Sequence, residues 1–534
     1  MPLRIALAQR NPTVGDIDGN AKIVADDIER ARDRGADLVA FTELVVTGYP
    51  PEDLVLKPSF VRANEAALDK LAQQTERITA VIGFVHEVDG ALYNAAAICT
   101  DGEIRDVYHK HYLPQMPSDG AGVFDEDRYF HRGRQTPTFD VAGTTVGACI
   151  CEDIWHTDGP GRTLAQQGAE VIININGSPY RTGVVDIRER MLSARAKSYG
   201  VTLAYVNTVG GQDELVFDGG SMIFDTSGTL VARAPAFEED LLIEHRIAPR
   251  LAFEEEVYRA LCVGTRDYVR KNGFREVFIQ ISGGIDSALT AAIAVDALGA
   301  EAVTGVVMSS KYSSEHSRKD AFDLAHNLGI KVLDIPIEGP HGAIDAALRE
   351  HIEGQPGTDL AEQNIQARIR GLYNMALTNA RPWTIALTTG NKSEVATGYA
   401  TLYGDMAGGF AVLKDVPKTL VYKLSRWRNS TDEVIPRSTI EKPPSAELKP
   451  GQFDQDALPP YEMLDQILEA YVEQDKSLRE IVSSGFDEEV VRKVIRMVDA
   501  NEYKRRQTPP GPKITSKAFG RDRRLPITNR YRES

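Results

Sequence analysis

The chain is predicted to be an α/β protein in two parts, a layered structure over residues 1–246 followed by a doubly wound parallel sheet over residues 247–534. Three observations predict this. Short apolar runs rich in β-branched residues alternate with amphipathic helical stretches along the first part. The alternation resumes after a junction from about Phe237 to Glu256, a stretch with a proline and several acids. In the second part a strand, a Gly-Gly loop and a helix follow one another directly in Val277 to Gly299, VFIQISGGIDSALTAAIAVDALG.

In the first part, Leu3 to Ala8 reads as a strand and Ile23 to Arg34 as a helix that Gly35 stops. Leu38 to Phe41 is the second strand and ends at Thr42-Glu43. Further strands are expected at Ala80 to Val85, Leu92 to Cys99 and Val107 to Tyr112, with Asp101-Gly102 turning the last two into a hairpin. Thr145 to Ile150 leads into Cys151-Glu152-Asp153, and Val171 to Ile175 leads into Asn176-Gly177-Ser178-Pro179. Thr202 to Val206 and Gly220 to Phe224 complete the expected strands. A carboxylate (Glu43), an ammonium (Lys110) and a thiol (Cys151) therefore lie at or near strand ends, where α/β folds gather catalytic groups. Together they suit acyl transfer. A lysine charge favours the thiolate and steadies an oxyanion, and a glutamate takes the thiol proton and returns it to the leaving amine. Taken singly, each has a plain structural explanation: a solvated strand-end charge, a surface lysine, a small buried hydrophobe. Pairing of Cys151 with His156 or His109 is a rival arrangement, but nothing papain-like surrounds the cysteine.

In the second part, Val257 to Lys271 is read as a helix delivering the chain to the strand Val277 to Ile281. Ser282-Gly283-Gly284-Ile285-Asp286-Ser287 follows. Its glycines permit a tight turn, and the amides opening the next helix suit a pyrophosphate. It is not a Walker A loop, because no Lys-Ser/Thr pair follows the glycines. Ala302 to Met308 and Val332 to Ile335 are the next strands, and Asn364 to Asn379 is a helix carrying Arg368 and Arg370. The strand Trp383 to Leu387 leads into a second loop, Thr388-Thr389-Gly390-Asn391-Lys392-Ser393-Glu394. Carboxylates beside a triphosphate require an intervening cation, so Asp286 and Glu394 suit Mg²⁺, the alternative being two helix-start acids favoured by the dipole, which explains either one better than both.

Composition bounds the rest. A chain of 534 residues with 42% hydrophobic content holds more than one core. The start, MPLRIALAQ, enters a strand without a signal-like segment, no apolar run is long enough to span a bilayer, and four cysteines form no C-x-x-C pair, so a cytoplasmic protein is expected. The net charge of −16 argues against nucleic-acid or membrane-surface partners.

FTELVVTGYP, VYHKHYLP and CICEDIW, in this order, resemble the Glu-Lys-Cys triad of the nitrilase or carbon-nitrogen hydrolase family. SGGIDS resembles the loop of the ATP pyrophosphatases, and with NIQARIRGLYNMALTN, TTGNKSEVATGYATLYGDMAGGFAVLKD and PPSAELKPGQFDQDALPPY it is similar to NAD synthetases. The join of the two is similar to the glutamine-dependent NAD synthetase family over nearly the whole chain. The resemblance implies a nitrilase-like α-β-β-α sandwich and an ATP-pyrophosphatase domain that adenylates deamido-NAD and amidates it with ammonia from glutamine. It implies Glu43 as base, Lys110 as stabiliser and Cys151 as nucleophile, with Tyr49, Glu126, Ser178 and Arg181 about the glutamine. Ser282, Gly283, Gly284, Ile285, Asp286, Ser287 and Thr389 would hold ATP, and Asp286 with Glu394 the magnesium. Asn364, Arg368, Glu394 and Lys504 would hold deamido-NAD. Pro443 to Pro460 would be a mobile cover, the basic tail YKRRQTPPGPKITSKAFGRDRR a phosphate clamp, and the assembly a homo-oligomer through the synthetase domain. The chain departs from the family pattern at Met116 in LPQMP, where relatives carry an aromatic residue nearby, and at Val184 in SPYRTGV, where relatives often carry lysine. Both departures bear on glutamine affinity, with Arg181 expected to supply the missing charge.

Overall fold

The structure, a computed structural model, describes residues 3–114 and 125–531. It forms two compact units, 1–251 and 252–534. Met116 lies outside the described residues.

The first unit holds two six-stranded sheets. One runs in the order Asp240–Leu242, Ile5–Gln9, Leu38–Ala40, Thr79–Val88, Ala91–Thr100, Glu103–His109. The other runs Leu230–Arg233, Met222–Phe224, Thr202–Asn207, Val171–Asn176, Thr144–Ile150, Thr138–Val141. Strand alternation assigns the faces. Ile5 and Leu7 join Tyr108, Val146, Ile173 and Leu203 in the core between the sheets, whereas Ala6 and Ala8 pack with Val24, Ile28 and Leu68 of the outer helices Ile17–Asp33 and Pro58–Ala72. The helices Pro160–Gln166 and Val184–Tyr199 contribute Leu164 and Leu192 from beyond the second sheet. The result is an α-β-β-α sandwich. Asp101 and Gly102 both take positive φ, the geometry of a tight hairpin turn, and Thr100 faces Glu103 across it.

Sequence periodicity missed several short elements. The antiparallel ribbon of Val209–Gln212 and Leu215–Asp218 has too few residues to show alternation, as has Asp240–Leu242, which lies in the stretch anticipated as junction yet closes the edge of the first sheet beside Ile5–Gln9. The strand expected from Gly220 begins at Met222, because Gly219 and Gly220 both turn through positive φ.

The second unit carries a five-stranded parallel sheet in the order Lys331–Asp334, Val303–Val307, Glu276–Gln280, Thr384–Thr388, Phe410–Ala411. The chain enters at the middle strand, builds outward to one side, then crosses back to Thr384–Thr388. That reversal opens a crevice between the carboxyl ends of Glu276–Gln280 and Thr384–Thr388, the place where doubly wound sheets bind ligands. Ser282 to Ser287 follows the first of these strands and Thr389 to Glu394 the second. Beyond the sheet, Leu464, Ile467, Ile481, Val491, Val494 and Val498 bury one face each of a helical cluster. Among the described residues, no helix is long and apolar enough to cross a membrane.

Candidate functional site

In the first unit, Glu43 follows the strand Leu38–Ala40, Lys110 follows Glu103–His109, and Cys151 follows Thr144–Ile150. Glu43 and Lys110 come from one sheet and Cys151 from the other, and the packing of the two sheets across their shared core brings these ends together. Lys110 Nζ lies 2.6 Å from Glu43 Oε1 and 2.8 Å from Glu126 Oε1, and all three side chains are fully buried. Asn94 Nδ2 donates to Glu43 Oε1 at 2.8 Å and to Glu126 Oε2 at 3.3 Å. Tyr49 Oη donates to Glu126 Oε1 at 3.1 Å, and the Gly177 amide donates to Glu43 Oε2 at 2.8 Å. Two carboxylates thus share one ammonium. Burial, then the like charge of Glu43, pushes Glu126 up to about 7 against the pull of Lys110. Burial weakens the Lys110 proton, but Glu126 and Glu43 more than restore it, and the side chain stays charged.

Cys151 adopts φ +44 at the sharp passage from strand to a short 3-10 turn, a backbone conformation rare for a residue with Cβ and typical of strained functional turns. The expectation that Lys110 would lower the thiol's pKa holds only in part. Lys110 does pull it down, but burial and the charge of Glu43 outweigh it and hold the thiol protonated at rest. A base is therefore required, and Glu43 faces it. Neither histidine of the rival pairing serves: His156 stacks on Tyr112 at 3.7 Å, and His109 Nε2 meets His86 Nδ1 at 2.9 Å.

Asp153 escaped the sequence reading, although it sits in the quoted CICEDIW. Its Oδ1 accepts from the amides of His111 (3.1 Å) and Tyr112 (2.9 Å), and its Oδ2 from the Ile150 amide (3.0 Å) and Tyr108 Oη (2.7 Å). It ties the lysine strand to the cysteine turn. Arg188 was missed as well. Fully buried, it pairs with Asp218 at 2.8 Å and donates to Ser178 Oγ at 3.3 Å. The charge brought to Ser178 is thus Arg188 from the helix Val184–Tyr199, while Arg181 lies half-buried on the preceding turn and Val184 is buried. Helical spacing carried the signal, ten residues after Ser178, but its meaning depended on Asp218 from a distant ribbon.

In the second unit, a cavity of about 540 Å³ is lined by Ser282, Gly284, Ile285, Asp286, Ser287, Asn364, Arg368, Thr389, Glu394 and Lys504, so nearly all the expected ligand residues meet in one place. Gly283 lies behind it with φ +80, and a Cβ there would stand 2.1 Å from Ser317 O. Only glycine fits. Asn391 caps the helix Lys392–Thr397 in a reciprocal box with Glu394 and donates to Asp286 Oδ1 at 2.8 Å, joining the two loops. Lys418, which the sequence reading passed over, forms an ion pair with Asp286 and lies 3.8 Å from Glu394. Burial and the charge of Asp286 nevertheless push Glu394 up to about 8. One ammonium is too little for these carboxylates, and the deficit fits a further cation. Among the described residues no cluster of three metal-ligating side chains exists, so oxygen donors would have to come from the ligand as well.

Arg368 Nε donates to Leu402 O at 3.3 Å, Asn364 Oδ1 accepts from Thr401 Oγ1 at 2.8 Å, and Lys504 Nζ donates to Gly398 O and Ala400 O at 2.7 and 2.8 Å. The proline-rich segment is folded against the cavity: Glu447 accepts from Ser314 Oγ (2.9 Å) and Ser317 Oγ (2.8 Å), and Leu448 O accepts from Gln366 Nε2 (2.9 Å). Most cations of the basic tail are engaged with the fold. Lys513 pairs with Asp522, Lys517 with Asp475, and Arg523 donates to Tyr471 O; of its cations only Lys504 lines the cavity.

An amidase cage and a pyrophosphate loop within one chain define a class, the ATP-dependent amidotransferases that draw nitrogen from an amide. Family models agree, a carbon-nitrogen hydrolase over residues 4–250 and an NAD synthase over residues 257–508. The glutamine-dependent NAD(+) synthetase of Thermotoga maritima is 47% identical, with 99% of each chain covered, and that of Aquifex aeolicus 45% identical over 99% of this chain and 100% of that one. The structure of glutamine-dependent NAD+ synthetase from Acinetobacter baumannii in complex with ADP matches with a TM-score of 0.79 and 42% identity, covering 99% of this chain and 98% of that chain. The chain belongs to the glutamine-dependent NAD(+) synthetases. It is accordingly a carbon-nitrogen ligase that forms NAD with glutamine as nitrogen source.

Proposed function

We propose that Cys151 releases ammonia from glutamine and that the cavity of the second unit consumes it. The observation that carries this reading is the Lys110 ammonium held between Glu43 and Glu126 beside Cys151. Glu43 takes the thiol proton, its Oε2 oriented by the Gly177 amide, and Sγ attacks the amide carbon. Lys110 faces the oxyanion that results. Glu43 returns the proton to the departing nitrogen, leaving a thioester, and then activates the water that frees glutamate. Tyr49, Glu126 and Ser178, with Arg188 or Arg181 supplying charge, position the glutamine.

In the second unit, Ser282 to Ser287 and Thr389 hold the phosphates of ATP while Asn364, Arg368, Glu394 and Lys504 hold deamido-NAD. The nicotinate carboxylate displaces pyrophosphate to give an acyl-adenylate, and ammonia displaces AMP. Asp286 and Glu394 would hold Mg²⁺ together with phosphate oxygens, and the ion would neutralise charge on the leaving pyrophosphate. A homo-oligomer through the synthetase unit is supported by Leu372 and Met375, which stand exposed on the helix Thr358–Ala380, with Trp383 exposed just beyond it. Dependence on ATP supports a cytoplasmic location.

The test is NAD formation from ATP, Mg²⁺ and deamido-NAD, with glutamine or ammonium, in wild type and Cys151→Ala. Glutamine should serve the wild type alone and ammonium both. NAD from neither donor, with an amide still hydrolysed, would overturn the synthetase assignment.

A further inference from the structure

A second cavity, of about 900 Å³, opens in the first unit on the reverse of the strand that carries Lys110. Alternation along that strand sends Lys110 into the amidase cage while His109 and His111 line the groove. Tyr93, stacked on His109 at 4.1 Å, forms one wall, and His131, Arg132 and Arg134 form another. The charges are unbalanced. Arg132 is paired with Asp127, and Asp158, the one acid among the described lining residues, with Arg162, whereas Arg134 is exposed and has no carboxylate partner among the described residues. His109 is neutral, because burial, then His86 and His111, holds it at about 4, and its ring backs Tyr93 as part of the wall. A locally basic, aromatic-walled groove in a chain of net charge −16 is matched to an anion.

The groove is also wired to the cage. Its wall continues the sheet: the His131 amide donates to Leu92 O at 2.8 Å, and the Gly133 amide to Lys110 O at 2.8 Å, while the Lys110 amide donates to Asn94 O at 2.9 Å. Gly133 sits so close that a Cβ would stand 2.1 Å from His109 O. On the other side, the amides of His111 and Tyr112 are held by Asp153, which also holds the amide of Ile150 just before Cys151. A ligand drawn to Arg134 therefore sits beside Gly133, whose amide holds Lys110 O, and beside His111, whose ring meets Gln135 O at 3.1 Å and whose amide is held by Asp153.

We propose that this groove binds a small phosphate-bearing anion and that its occupancy is transmitted to Lys110, changing the rate of glutamine hydrolysis. The binding stands on the groove alone, and the effect on rate rests on the amidase reading.

The experiment compares full-length wild type, Arg134→Glu and Arg134→Lys at constant ionic strength. Titration calorimetry with inorganic phosphate and with AMP separates a site that needs only the phosphate from one that also stacks a base on Tyr93. Because the synthetase cavity accepts the same probes, the readout is the difference between variants. Binding at one site per chain should weaken at least tenfold in Arg134→Glu and persist in Arg134→Lys. Saturating probe should change glutamate release at least twofold in wild type and leave Arg134→Glu unaffected, with ammonium-driven NAD formation equal in the two without probe. Superimposable isotherms for wild type and Arg134→Glu would overturn the site. Weakened binding without any response of glutamate release would overturn the link to Lys110. Wild type that hydrolyses no glutamine would sink the amidase reading and leave the isotherms to decide the groove.

Discussion

Lys110 Nζ stands 2.6 Å from Glu43 Oε1, both side chains sealed from solvent, with Glu126 at 2.8 Å on the same ammonium. Removing the cation strands two buried carboxylates. Lys110→Met should lower glutamine hydrolysis by ~1000-fold or more through loss of oxyanion stabilisation and cost about 3–5 kcal/mol where no proton replaces the charge. Because Glu126 already binds its proton near pH 7 in wild type, the loss in Tm should be smaller at acid pH than at alkaline pH. Equal losses at both would show that the carboxylates are not coupled through this lysine.

Glu394 provides a pH test in the second unit. Its carboxyl rises from 4.5 in the unfolded chain to about 8 on folding, through burial first and Asp286 second. Folding therefore favours the protonated form. The contribution to stability is full below 4.5 and fades as pH rises through 8. Glu394→Gln, a permanent stand-in for the neutral acid, should lose less stability than wild type between mildly acid and mildly alkaline pH, by a few kcal/mol in urea unfolding without nucleotide. Parallel pH profiles for the two chains would refute the shift.

At the pyrophosphate loop, Gly283→Ala drives a methyl to 2.1 Å from Ser317 O in a backbone already at φ +80. The expected outcome is a fall of ~100-fold or more in ammonium-driven NAD formation, with glutamate release from glutamine retained. Undiminished NAD formation would mean that the loop does not approach the phosphates.

Arg188 should act on affinity. Arg188→Met removes the charge at Ser178 and leaves Asp218 unpaired, so KM for glutamine should rise ~10-fold with kcat little changed, and stability should fall by about 3–5 kcal/mol. Adding Asp218→Asn should restore stability but not KM. A fall in kcat at constant KM would move Arg188 from substrate binding to the chemistry.

The contrast between Glu43 and Arg188 shows what the sequence could convey. Strand ends are marked locally, by apolar runs that stop, so the positions of Glu43, Lys110, Cys151 and both loops of the synthetase unit after their strands were legible. The partners that complete them were not. Asn94 is one buried amide among alternating strand residues, Asp153 reads as a helix-start acid, and Lys418 is separated from Asp286 by more than a hundred residues. Each acquires meaning only from chain crossing between strands, which leaves no periodic trace. The basic tail shows the same limit: charge along a segment is visible, whereas its pairing is not, since Lys517 meets the distant Asp475 and Lys513 turns back to Asp522 within the tail itself.

The docking of Pro443 to Leu448 through Glu447 and Gln366 bears on the fate of an activated carboxylate. An acyl-adenylate is consumed by either of two nucleophiles, and solvent is by far the more abundant. With the segment fastened over the cavity, the outcome becomes a question of admission: ammonia arriving inside yields the amide, whereas a loosened fastening returns the starting acid and spends ATP on nothing. The expected consequence of removing the two serine hydroxyls that hold Glu447 is therefore more ATP cleaved for each NAD released.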